Sequence, residues 1–278
     1  MTDALAQHSR EIAETRACWS RKPLLREAYR NFHREIRSRL ARGGGATVEL
    51  GSGIGAIKET IPFCVTTDVF ENPMVDRIED AYSLTFPDGS VANLILFDVW
   101  HHLEFPASAM EEFRRVLEPG GRLILFEPAA LSLLGRLVFG CFHHEPVHGS
   151  GPLRWRLPED QPIRELPYYA AQGNAWKMFG KREPPGIFGA DWHCREVAFF
   201  PAFDWLAAGG FRARQLAPSW LGRPLRWLSG AAAFCPRVFA TRMLVCLEKK
   251  MPTDANASRD GSISSDGSTP ERIRSPGP

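Results

Sequence analysis

The segment Val48-Glu49-Leu50-Gly51-Ser52-Gly53-Ile54-Gly55 constrains this chain more than any other. The run 47–50 reads as a buried strand, and it breaks at once into three glycines spaced two apart. A parallel strand that opens into such a loop brings the backbone close to a ligand, because glycine has no Cβ to hold it off. A second β-like run, 63–67, leads directly to Asp68. A carboxylate at the end of the neighbouring strand can accept hydrogen bonds from a ribose, so the two features together point to a nucleoside-bearing cofactor. Gly51, Gly53 and Ala56 also meet the dinucleotide spacing G-x-G-x-x-G/A, but that chemistry needs a free helix N-terminus for a pyrophosphate. Here the helical stretch after Gly55 is short and meets Pro62, and Glu49 puts a carboxylate inside the strand.

Residues 44–128 hold five β-like runs, the third at 74–78, separated by short helical or turn segments. That alternation predicts an α/β fold built on a parallel sheet. Met110, Phe113, Val116 and Leu117 share one face of a predicted helix that Pro119-Gly120-Gly121 ends. Residues 1–43 read as helical, with Leu24, Leu25, Tyr29, Phe32, Ile36 and Leu40 forming an apolar stripe. Residues 44–250 form the main domain. Within it, 129–199 is rich in aromatic, Pro, Gly and His residues with weak periodicity, and is expected to be an insertion after the fifth strand that covers the acceptor. A helix at 200–208, strands at 211–216 and 238–247, and a helix at 223–234 are expected to complete the fold. Residues 251–278 carry almost no large apolar side chain and are expected to be a disordered tail.

The 278 residues suffice for one large domain with a substantial core. A net charge of +2 implies no polyanion, so a nucleic acid is not an expected partner. The N-terminal region is locally basic, with Arg26, Arg30, Arg34 and Arg37 among its arginines. That leaves a solvated helix face or a peripheral contact with an anionic lipid or phosphorylated acceptor. Six cysteines form no C-x-x-C pair. Cys64 and Cys246 lie in apolar runs and are expected to be buried thiols, which suits a reducing cytoplasm. Residues 1–16 contain no apolar signal core, and no segment reaches bilayer-spanning length.

Several blocks, in order, resemble class I S-adenosylmethionine-dependent methyltransferases of the type 11 kind. They are Glu49-Leu50-Gly51-Ser52-Gly53-Ile54-Gly55, then Asp68, then Asp80-Ala81 before Leu84-Thr85-Phe86-Pro87-Asp88-Gly89. Leu94-Ile95-Leu96-Phe97-Asp98-Val99-Trp100-His101-His102 and Arg115-Val116-Leu117-Glu118-Pro119-Gly120-Gly121 follow. The family often has aspartate where this chain has Asn93, a position taken as structural. The resemblance covers about 45–128. It implies a Rossmann-like, seven-stranded, mostly parallel sheet with a closing antiparallel strand and helices on both faces. It also implies S-adenosylmethionine as cofactor, held by Glu49, Gly51, Ser52, Gly53, Gly55, Asp68, Asp80, Ala81, Asp98 and Val99. Glu49 would hold the amino-acid end, Asp68 the ribose and Asp80 the adenine amino group. Residues 142–146 and the Gly173-Asn174-Ala175 element loosely resemble a bacterial subgroup linked to glycan or lipid pathways.

His101 and His102 follow the fourth strand where a general base could stand, since histidine titrates near neutral pH; His144 is the further candidate. His143, His144, Glu145 and His148 match no standard zinc spacing, so no metal is expected. An Asn-Pro-Pro-Tyr-type motif is missing after strand four, which favours oxygen or carbon acceptors. The expected function is methyl transfer to a small-molecule, sugar or lipid-linked acceptor. The alternatives are a catalytically silent cofactor-binding regulatory subunit and a nicotinamide-dependent oxidoreductase.

Overall fold

The computed structural model describes residues 2–130, 132–141, 154–158, 174–179 and 191–251. Helix α1 (Thr2–Arg21) and helix α2 (Pro23–Ser38) part at Lys22. Pro23 lacks the N–H that would continue α1, while its fixed φ suits the first turn of α2. Leu24, Leu25, Ala28, Tyr29, Phe32 and Ile36 of α2 are buried, as the helical stripe requires.

Seven strands make one sheet in the order β3-β2-β1-β4-β5-β7-β6. They are β1 (Ala46–Leu50), β2 (Val65–Asp68), β3 (Arg77–Ile78), β4 (Val91–Phe97), β5 (Leu117–Pro128), β6 (Trp192–Phe200) and β7 (Arg242–Lys249). Strand β7 runs antiparallel to both neighbours, and every other pairing is parallel. β4 is buried nearly throughout, which is why it reads as a continuous apolar run rather than an alternation. Alternate residues of β5 feed two cores. Leu123 and Leu125 join Phe113 of α3 (Pro106–Val116), while Ile124 and Phe126 join Phe32 of α2. Between α3 and the paired part of β5, Gly120 takes φ +78°, a conformation that favours glycine.

Asn93 is structural. Its Oδ1 accepts the Ala41 N–H at 2.6 Å and its amide donates to Thr47 Oγ1 at 3.1 Å, which ties the α2–β1 connection to β4. Cys64 and Cys246 are buried, as expected.

The closing strands differ from the sequence reading. Residues 211–216 form no strand. Strand β6 is Trp192–Phe200, from within the stretch read as an insertion, and it pairs with β7 along its length. Helix α4 (Leu133–Cys141) follows β5, and α5 (Asn174–Phe179) packs near the turn after β4. Helices α6 (Phe203–Ala207), α7 (Gly222–Ala232) and α8 (Pro236–Phe239) lie between β6 and β7. Most of 142–190 and all of 252–278 fall outside the described residues, so the lid and tail readings fall there too.

Candidate functional site

The carboxyl ends of β1, β2, β3 and β4 gather most of the predicted residues along one edge. Gly51, Gly53 and Gly55 all take positive φ, at +66°, +54° and +66°. A Cβ on Gly51 would lie 2.5 Å from Val99 Cγ2, so side chains are excluded there both by conformation and by space. Ser52 knits this loop to β2. Its N–H donates to the Thr67 carbonyl at 2.8 Å and its hydroxyl accepts the Thr67 N–H at 3.2 Å. After Gly55 comes a single 3₁₀ turn, Ala56–Glu59, and no α-helix.

Glu49 lies beneath the loop, 3% exposed, and its Oε2 is buried without a hydrogen-bond partner. Burial pushes its carboxyl up to about 7, with the Ser52 hydroxyl opposing and Asp68 adding to the rise. Such an orphaned oxygen suits a cationic ligand group. Asp68, at the end of β2, accepts the Val69 N–H at 2.8 Å. Burial raises its pKa, and His8, whose Nε2 sits 3.5 Å from Asp68 Oδ2, opposes that rise. His8 belongs to α1, and so does Ile12, whose Cδ1 is 3.8 Å from the Cβ position of Gly53. The N-terminal helix therefore lies across the glycine loop. Asp80 and Ala81, half-buried, follow β3; Asp80 accepts the Tyr82 N–H at 2.9 Å, and burial raises its pKa.

Beyond β4, Asp98 takes φ +54°, unusual for a side chain with a Cβ. It pairs with the buried guanidinium of Arg242, which lies 4.4 Å from the Trp205 ring centroid. Burial, helped by Asp98, pushes the Tyr29 hydroxyl upward, so it stays protonated. Val99 and Trp100 donate their N–H groups to Glu127 Oε1 at 3.0 and 2.7 Å. Glu127 Oε2 meets His101 Nδ1 at 2.6 Å, with both side chains buried. A carboxylate at Nδ1 favours the tautomer with its proton on Nδ1, the one a base at Nε2 needs. His102 lies beside it, with ring centroids 4.0 Å apart. His144 lies outside the described residues.

The sequence reading missed Glu127, Arg242 and His8. Glu127 had a signal: an acid closing an apolar strand, as Glu49 does within β1. His8 and Arg242 had none. Trp155, flanked by Arg154 and Arg156, packs against the core beside α3. Arg154 and Arg156 pair with Glu104 and Glu111. Among the described residues no group of histidine, cysteine and carboxylate side chains could hold a metal. A cleft of about 660 Å³ that includes Arg37, Ala41, Arg42 and Asn93 lies at the opposite, amino-terminal end of β1 and β4, away from these groups.

Residues 49–125 match the methyltransferase domain family. No curated protein matches the chain. Among solved structures, the chain is similar to the Haloferax volcanii methyltransferase in complex with the Trm112 methyltransferase activator. The identity is 15% and the TM-score 0.50, covering 90% of this chain and 98% of that one. A SAM-dependent methyltransferase from Archaeoglobus fulgidus aligns at 13% identity and TM-score 0.47, covering 81% and 94%. The chain thus has a Rossmann-like fold similar to that of solved methyltransferases, and the cofactor that the family match over residues 49–125 implies is S-adenosylmethionine.

Proposed function

We propose that this protein transfers the methyl group of S-adenosylmethionine to an oxygen or carbon of a small-molecule, sugar or lipid-linked acceptor. The orphaned Glu49 oxygen beneath three positive-φ glycines carries the reading. A buried carboxylate there suits the ammonium of the cofactor's amino-acid end and would repel a pyrophosphate. The lone 3₁₀ turn after Gly55 also offers no α-helix N-terminus for a dinucleotide. When bound, S-adenosylmethionine supplies a methyl group already activated on a sulfonium.

The chain's own work is then to position, to exclude water and to take a proton. Gly51, Gly53 and Gly55 would admit the cofactor against the backbone, Asp68 would accept from the ribose hydroxyls, and Asp80 would accept from the adenine amino group. Val99 and Asp98 would border the methyl side. His101, oriented by Glu127, would receive the acceptor's proton on Nε2.

Calorimetric titration with S-adenosylmethionine and with NADH tests the cofactor assignment. Binding of the first and not the second is expected; preferential NADH binding would reject it. Tight cofactor binding without methyl transfer across a broad acceptor panel would favour the silent-subunit alternative.

A further inference from the structure

We propose that the surface formed by α4, α7 and α8 docks on an anionic membrane. This inference does not rest on the methyl-transfer reading. On α7 the exposed positions are 223, 224, 227, 228, 230 and 231, which recur at helical spacing and so share one face. They are Arg223, Pro224, Trp227, Leu228, Gly230 and Ala231. The inward face carries Gly222, Leu225, Arg226 and Ser229, with Arg226 turned back to Glu27 at 3.3 Å. The helix thus presents its more apolar face to the outside. Helix α4 turns Leu134, Gly135, Val138 and Phe139 inward and still leaves Leu133 and Leu137 exposed beside Arg136.

The elements join into one surface. Helix α4 packs against α8, and Ser132 Oγ reaches the Ala240 carbonyl. Phe234 links α7 to α8 and is 89% exposed; Trp227 is 76% and Trp220 74% exposed. A cluster of this kind exceeds the scattered apolar residues that any protein surface carries.

Charge selects the occupant. Arg136 of α4, Arg223 of α7 and Arg237 of α8 are exposed, and no acidic residue lies between Asp204 and Glu248 or between Glu127 and Glu145. Tryptophan, phenylalanine and leucine set among arginines suit the headgroup boundary of an anionic bilayer. Among the described residues no helix is long and apolar enough to cross a membrane, so this contact is peripheral. The position also serves an acceptor held in the membrane. Helix α4 follows the carboxyl end of β5, and α8 precedes Arg242, which pairs with Asp98 at the candidate site.

Flotation of the full chain with phosphatidylcholine vesicles, with and without phosphatidylglycerol, tests the proposal. Binding to the anionic vesicles alone is expected, weakening as salt is raised. The double variant Trp227→Glu, Phe234→Glu should bind at least about tenfold more weakly. Arg16→Glu, on the exposed side of α1, should bind as the parent does. Melting temperature verifies that the variants fold. In the unaltered protein, tryptophan emission should shift to the blue on anionic vesicles and be quenched by brominated lipid. Equal binding to neutral vesicles, or undiminished binding by the double variant, would overturn the proposal. So would absence of flotation together with a Trp227-dependent complex with a second copy or another protein.

Discussion

Glu49 and Glu127 are both buried carboxylates at the carboxyl edge of the sheet, yet their surroundings set them opposite tasks. Glu49 keeps one oxygen without a partner, so its charge is costly until a cation arrives. Its folded-state pKa, about 7, lies above the ordinary 4.5, so the ligand-free fold holds this proton more tightly than the unfolded chain does. Stability therefore falls as pH rises from 4.5 through 7. Glu49→Gln should stabilise the free protein at pH 8 by an amount on the order of 3 kcal/mol, and so raise its melting temperature. The same change should weaken S-adenosylmethionine binding roughly tenfold or more. Thermal melts and calorimetry check both signs; a variant less stable at pH 8 would contradict the assignment. Glu127 is spent on two backbone N–H groups and on His101. In Glu127→Gln an amide N–H can face Nδ1, which moves the imidazole proton to Nε2 and blocks the base. Turnover on the acceptor should drop about 10²–10⁴-fold with cofactor affinity little changed. An unaltered rate and pH profile would remove His101 from the mechanism.

Helix α1 shows how an element can belong to the site while contributing little to the core. His8 and Cys18 are its buried residues among those whose burial is described, and they face Asp68 and the α2 side of the sheet. Helix α2, by contrast, buries seven side chains and is part of the fold itself. Removal of residues 1–21 should leave the sheet folded but open the cleft over Gly53. S-adenosylmethionine should then dissociate at least about tenfold faster, as expected when a cover is lost. Stopped-flow displacement measures this; an unchanged off-rate would mean that α1 merely rests on the loop.

On the scale of the whole molecule, both faces of the sheet are covered and the second core is aromatic. Phe126 is wholly buried, with its ring centroid 4.9 Å from Phe32, 5.0 Å from Phe97 and 5.9 Å from Phe200. It joins α2, β4, β5 and β6 in one contact set, so Phe126→Ala should cost about 3–5 kcal/mol. Urea denaturation followed by far-UV circular dichroism checks the value. A loss under about 1 kcal/mol would show that α2 collapses onto the gap.

The central sheet and the glycine loop were legible in the sequence because their signals are local. A buried parallel strand is a continuous apolar run, and a loop that meets a ligand spaces its glycines to suit. Gly51, Gly53 and Asp68 follow from such patterns alone. The sixth strand did not: Trp192–Phe200 mixes Arg195 and Glu196 with aromatics, and it is a strand because β7 offers an unpaired edge. The contacts that complete the site likewise join residues distant in the chain, with His8 at Asp68, Arg242 at Asp98 and Glu127 at His101. No local periodicity encodes which buried charge meets which. The strand order decides that, by bringing the carboxyl ends of β2, β4 and β5 and the start of β7 to one edge, where each charge removed from water requires a partner.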